Sequence, residues 1–248
     1  MASKFLKKKY VFLGDTNSIN VEIICKSFNF LKKNISYILI GNLNDLKSSL
    51  VKIKSKLIIH EILNPLDFTE CKKNCLNIYN IENVSRFKFK NLLNQLKLSN
   101  ELSNITKNDL VTMAINKSIF KKKMSFTGVT EYLGKLNHKQ TLMLMHGDNF
   151  SIIPFTTHIN IKYVHRKITK IKIEKFLKTI IDLINDKRYS LKFNKIKFLC
   201  YNPHCGENRT IGDEDYSISN VISTNKKITG PYSSDSAFID IKKNTLFI

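Results

Sequence analysis

Between residues 9 and 62 the chain alternates short β-branched and aromatic runs with helix-patterned stretches, and this alternation narrows the possible folds more than any other feature. Residues 9–13 (Lys-Tyr-Val-Phe-Leu) read as a strand broken by Gly14-Asp15. Asn17-Ser18 then caps a helix over residues 19–33, where Val21, Ile24, Cys25, Phe28 and Leu31 recur at helical spacing. A second strand over 35–40 ends at Gly41-Asn42, and a short helix over 44–54 leads to a third strand over 57–62. Strands and helices in this order predict an α/β fold, with a parallel sheet covered by helices.

The middle of the chain is less regular. Cys71 and Cys75 are four apart and would share one face of a helix. A metal site would need two further ligands, and none is nearby, so the pair reads as structural. An amphipathic helix is expected over 86–98, a polar connection over 99–107 and a strand over 109–115 that ends in Asn116-Lys117. Phe126-Thr127-Gly128-Val129-Thr130-Glu131 opens a short helix through about Leu136. Its hydroxyls and free N–H groups could meet an anion or simply cap the helix.

Residues 140–145 and 151–157 read as two strands about the turn Gly147-Asp148-Asn149. The apolar stripe from Ile168 to Ile184 predicts a long helix. A strand over 195–200 stops at Asn202-Pro203, and the turn presents His204, Cys205 and Glu207 beside Gly206. A helix over 213–221 follows.

The formal net charge is +21, which could serve a nucleic-acid partner. The lysines are spread along the chain, however, and the tight runs Lys7–Lys9 and Lys121–Lys123 are not interleaved with stacking aromatics. A general Lys, Ile and Asn bias accounts for the charge better, and a basic surface would also attract phosphorylated metabolites. No apolar run reaches the ~18 residues of a membrane span. The N-terminal residues lack the apolar core of a signal peptide. Five cysteines without a framework spacing point to a reducing, cytoplasmic setting.

His158 and His204 are connected by topology rather than by spacing. The strand over 151–157, the helix over 168–184 and the strand over 195–200 make a β-α-β unit, whose strands run parallel. Both histidines then lie past strand ends on one edge of the sheet. Neutral imidazoles suit Zn²⁺ or Co²⁺, but two make an incomplete site, and each could equally be a hydrogen-bonded loop residue.

Six collinear blocks resemble signatures of the 4-hydroxythreonine-4-phosphate dehydrogenase family of vitamin B6 biosynthesis. Gly14-Asp15, Ile19 and Glu22-Ile23 are similar to G-D-P-A-G-I-G-P-E-I, and Thr112–Lys117 to T-x-P-I-N-K. Phe126–Glu131 is similar to F-x-G-H-T-E, and Thr156–Lys162 to T-T-H-x-x-L-K. Asn202–Glu207 is similar to N-P-H-A-G-E, and Gly230–Phe238 to G-P-x-x-A-D-T-x-F.

The resemblance implies an isopropylmalate-dehydrogenase-like fold of two α/β/α domains around a cleft, here over residues 1–115 and 116–248. It also implies NAD or NADP oxidation of 4-phosphohydroxy-L-threonine with decarboxylation to 3-amino-2-oxopropyl phosphate. A divalent metal (Zn, Mg or Co) would be held by His158 and His204 as two of three histidine ligands. Thr130 matches a substrate contact, while Lys117 and Asp235 match further site positions. A homodimer is implied as the acting form.

Departures from the pattern are Val129 in place of the family histidine, and Thr16, Asn17 and Asn20 in the opening loop. The Y-H-D-Q segment carrying the third histidine would fall beyond Ile248. The expectation is therefore a fold lacking its C-terminal part, with an incomplete metal site and weak or no activity. The alternative is a truncated, inactive homologue that binds a phosphorylated metabolite or a partner.

Overall fold

The structure is a computed structural model that describes residues 7–120, 126–187, 189, 191–239 and 241–248. The basic run Lys121–Lys123 and the first six residues, on which the signal-peptide reading rested, lie outside the described residues. The chain forms two compact units, Met1–Lys139 and Gln140–Ile248.

In the first unit β1 (Lys7–Phe12), β2 (Ile35–Gly41), β3 (Ile58–Glu61), β4 (Cys75–Asn80) and β5 (Asp109–Thr112) form a wholly parallel sheet in the order β3-β4-β2-β1-β5. The central strands are apolar without alternation because both faces are covered. On one face Val11, Leu13, Leu39 and Ile78 meet Val21, Ile24 and Phe28 of α1 (Asn20–Asn34) and Leu46 and Leu50 of α2 (Leu43–Lys52). On the other face Tyr10, Ile38, Ile40 and Phe12 meet Leu92, Leu96 and Leu102 of α3 (Lys88–Thr106).

Three elements differ from the sequence expectation. Cys71 and Cys75 do not share a helix face. Cys71 follows a 3₁₀ turn, Phe68–Glu70, and Cys75 opens β4, with Asn77 Oδ1 accepting from Lys72 N at 2.8 Å to fix the bend. Helix α3 continues through the segment expected as a polar connection, because Ser99 and Asn100 face inward. Ser99 Oγ bonds the Gln95 carbonyl at 2.7 Å, and Lys107 ends the helix in a left-handed conformation. Strand β5 stops at Thr112 rather than 115.

The units divide between Lys139 and Gln140, not between 115 and 116. Ile115, Ile119 and, from α4 (Val129–Leu136), Val129, Tyr132 and Leu133 pack on Phe12, Leu92 and Leu96. Asn137 and Asn100 also exchange amide hydrogen bonds of 3.0 and 3.1 Å.

The predicted stop at Gly41-Asn42 is also a start. Asn42 Oδ1 accepts from Asp45 N at 3.0 Å, capping α2, while its Nδ2 donates to the Ile81 carbonyl at 3.1 Å. Asn42→Ala should cost about 1–2 kcal/mol, read as a lower midpoint of chemical denaturation. An unchanged midpoint would remove the cap from this account.

The second unit places β6 (Met145–His146), β7 (Phe150–Ile152), β8 (Lys195–Leu199), β9 (Ile228–Tyr232) and β10 (Thr245–Phe247) in the order β6-β7-β10-β8-β9. The pair β6 and β7 is the expected hairpin, though with shorter strands; the other pairings are parallel. Helices α5 (Lys170–Asn185) and α6 (Glu214–Ile222) cover one face through Ile173, Phe176, Leu177, Ile180, Ile218, Val221 and Ile222. Strand β10 lies between β7 and β8, so the β-α-β strands are parallel but not adjacent.

All five cysteines are free. Among the described residues no helix is long and apolar enough to cross a membrane.

Candidate active-site residues

The turn after β8 is the most constrained backbone in the second unit. Residues His204 to Arg209 all have positive φ, from 41° at Glu207 to 79° at Gly206, and five of these six are not glycine. Each non-glycine residue in this region carries a conformational cost, so the turn persists only where its surroundings over-determine it. They do so here through helix α6. The buried Asp215 carboxylate accepts from Tyr201 N at 2.6 Å and from Asn202 N at 2.9 Å. Glu214 Oε2 accepts from Asn202 Nδ2 at 3.0 Å, and Arg209 Nε pairs with Asp213 Oδ1 at 2.6 Å. Gly206 is required in its own right, since a Cβ there would lie 2.9 Å from the Gly212 carbonyl oxygen.

The result is an exposed His204 ring whose Nδ1 stands 3.8 Å from Asp235 Oδ2. That distance is beyond a hydrogen bond, but it leaves the carboxylate beside the ring, where it complements a cation bound at the imidazole. Hydrogen bonds from Ser233, then Ser236, together with the charge of His204, hold the Asp235 carboxyl below the usual range. Cys205 points elsewhere, its Sγ donating to the Pro231 carbonyl at 3.6 Å. Burial and the neighbouring Cys200 thiol push Cys205 up to about 12, so at neutral pH it is a thiol rather than a thiolate ligand.

His158 follows β7, is exposed and also has positive φ, 52°. Because β7 and β8 run parallel on either side of β10, the chain leaves both toward the same sheet edge. The donor chemistry of two imidazoles and a carboxylate suits a divalent ion. Among the described residues, no three His, Cys, Asp or Glu side chains cluster closely enough to hold one.

The other two sequence-predicted residues belong to the first unit. Thr130 lies in the first turn of α4, which begins at Gly128 without a side-chain cap, so the simple capping reading of Thr127 is not realised. Lys117 opens a 3₁₀ turn, Lys117–Phe120, past the end of β5 and is exposed. Val129 packs into the apolar cluster on Phe12, so the departure from a histidine there is accommodated by burial.

The opening loop of this unit is tied by another departure. The buried Asn20 donates its amide to the Leu13 carbonyl at 3.0 Å and to the Ala114 carbonyl at 2.8 Å, joining the ends of β1 and β5. Gly14, at φ +68°, is needed because a Cβ would lie 2.5 Å from Ala114 O. Asp15 is buried and pairs with Lys88 at 2.6 Å beside a polar cavity of about 320 Å³ that Thr16, Asn17, Asn42 and Arg86 help to line.

Sequence reasoning did not find Asp215, Glu214 or the Asp15–Lys88 pair, whose partners are distant in sequence. The one available signal was the acidic start of α6, which also has an ordinary helix-dipole explanation.

The family model for the pyridoxal phosphate biosynthetic protein PdxA matches residues 22–246. A relative from Campylobacter fetus, named 4-hydroxythreonine-4-phosphate dehydrogenase, is 30% identical over 247 residues, covering 94% of this chain and 74% of the relative. A Hydrogenobaculum relative of the same name is 37% identical over 143 residues; that match spans 57% of this chain but 46% of the relative's length. The crystal structure of 4-hydroxythreonine-4-phosphate dehydrogenase from Klebsiella pneumoniae shares the fold, with a TM-score of 0.79, 19% identity and coverage of 97% of this chain and 80% of that one. The extent of the family match, running from α1 into β10, establishes that this chain belongs to the PdxA family of pyridoxal phosphate biosynthetic proteins.

Proposed function

We propose that this chain acts as a 4-hydroxythreonine-4-phosphate dehydrogenase in pyridoxal 5'-phosphate biosynthesis. The carbon bearing the substrate's secondary hydroxyl gives a hydride to NAD or NADP while the hydroxyl gives up its proton, and the resulting β-keto acid loses CO₂ to give 3-amino-2-oxopropyl phosphate. The observation that carries this reading is the His204 turn, held beside Asp235 by Asp215 in a chain of this family.

His158 and His204 would hold a divalent metal ion (Zn, Mg or Co), whose bound chemistry is Lewis acidity toward the substrate hydroxyl. The Asp235 carboxylate, 3.8 Å from the His204 ring, would complement the charge of that ion and contribute to the placing of the ring. The Lys117 ammonium offers a charge to the substrate phosphate or carboxylate, and the Thr130 hydroxyl offers a hydrogen bond. We further infer a homodimer acting in the cytoplasm.

The test is NADH or NADPH formation by the full chain from 4-phosphohydroxy-L-threonine, with Zn²⁺, Mg²⁺ and Co²⁺ supplied separately. Turnover that depends on the substrate and on one of these ions is expected. The second reading, a homologue that binds a phosphorylated metabolite without turning it over, is favoured by the absence of a three-residue ligand cluster among the described residues. Calorimetric binding of 4-phosphohydroxy-L-threonine with no reduced cofactor formed would select it.

A further inference from the structure

A second cavity in the Gln140–Ile248 unit, about 500 Å³ in volume, is lined by Lys195, Lys197, Lys226 and Lys227 together with Phe193 and Tyr232, and among the described residues by no acidic one. Lys195 opens β8, and Lys226 and Lys227 immediately precede β9. Their backbone therefore lies at the strand starts, the opposite end of the sheet from the His204 turn. Among the described residues none of the four ammonium groups forms an ion pair.

Lys197 is the most committed of them. Half-buried, it lies 5.1 Å from the Tyr232 ring centroid and 5.7 Å from that of Phe247, and donates to the Ala237 carbonyl at 3.4 Å. Rings and a carbonyl stabilise the cation without neutralising it. Four like charges around one cavity repel one another, and a multiply charged anion relieves that repulsion. Ile181 and Ile184 of α5 add apolar wall, and Asn185, Asn194 and Thr229 add neutral polar groups, so the cavity offers apolar surface as well as charge.

We propose that this cavity binds a small molecule carrying an oligophosphate, at a site separate from the candidate active site. The bland alternative is a set of solvated lysines in a chain with 41 Lys and Arg.

Calorimetry on the full chain at physiological ionic strength, with ATP and with tripolyphosphate as probes, separates the two. Saturable binding with one site per chain is expected, weakened at least about tenfold by Lys197→Met and by the double change Lys226→Gln/Lys227→Gln. The control pair Lys47→Gln/Lys52→Gln, on exposed positions of α2, removes the same charge from the other unit and should leave affinity within about twofold. Binding should also persist in His204→Ala.

Tighter binding of ATP than of tripolyphosphate would place the base against the Phe193 and Tyr232 side; equal affinities would assign the site to the phosphate chain alone. Equal losses in both double variants, loss of binding in His204→Ala, or no saturable binding of either probe would overturn the proposal.

Discussion

Replacing His204 by Ala should reduce NADH or NADPH formation from 4-phosphohydroxy-L-threonine by about 10²–10³-fold while the protein stays folded. Polarising the substrate oxygen by a bound metal supplies several kcal/mol of transition-state stabilisation, and each ~1.4 kcal/mol is a factor of ten. Folding should be spared because the ring is exposed, 63% by side chain, and the turn is fixed by backbone bonds to Asp215 rather than by the imidazole. The backbone at 204 has φ 48°, which His tolerates somewhat better than Ala, so the change adds a small left-handed cost but no new class of strain.

Asp235→Asn is the companion change. It removes the charge beside His204 and leaves a similar shape, so a loss of about 10–100-fold is expected, the size of an orienting partner. Cobalt titration gives a readout besides turnover: the absorption of Co²⁺ bound by the parent chain should change in His204→Ala and persist, more weakly bound, in Asp235→Asn. Equal turnover in parent and His204→Ala would remove this histidine from the chemistry.

How far the sequence discloses this molecule depends on where each residue's partners lie. Strands β1 and β2 are legible because both faces are buried, so Tyr10-Val11-Phe12 and Ile38-Leu39-Ile40 appear as uninterrupted apolar runs. Helix α5 is legible because its buried residues recur with the helical period.

Strand β4 is obscured by alternation of a different kind: Leu76 and Ile78 face the core, while Asn77, also buried, bonds its own loop. Strand β9 contains Gly230-Pro231, a pair that argues against a strand and is tolerated because β9 lies at the sheet edge. Strand β10 has only three residues and follows Lys242-Lys243-Asn244, yet it occupies the centre of the second sheet. A short apolar run gains its meaning there from neighbours that are remote in the chain.

At the candidate site the histidines announced themselves by residue type and by standing past apolar strands. The acids that hold the His204 turn did not, because a carboxylate in the first turn of a helix looks the same whether it faces solvent or reaches back to a loop.

Asp215 is the strongest case of such a hidden residue, and Asp215→Ala is expected to be more damaging to stability than any change at His204. The carboxylate is 2% exposed and accepts two backbone N–H groups at the exit of β8. Truncation leaves both donors without an acceptor in a part-buried place, at roughly 1–3 kcal/mol for each. It also frees the run of positive-φ residues behind them to relax toward ordinary conformations, which recovers some of that loss. A net cost of about 2–4 kcal/mol is expected, seen as a lower midpoint of urea unfolding.

Asp215→Asn should fall between parent and Ala, since an amide oxygen can serve one N–H while its NH₂ confronts the other. Glu214→Ala, which removes a single side-chain bond to Asn202, should cost about 1 kcal/mol or less. The order matters more than the sizes. If Asp215→Ala and Glu214→Ala were equally mild, the turn would be set by its local sequence and Gly206. If Asp215→Ala alone both destabilises the chain and weakens Co²⁺ binding, the position of His204 is set from α6, and the acidic start of that helix belongs to the functional edge of the sheet.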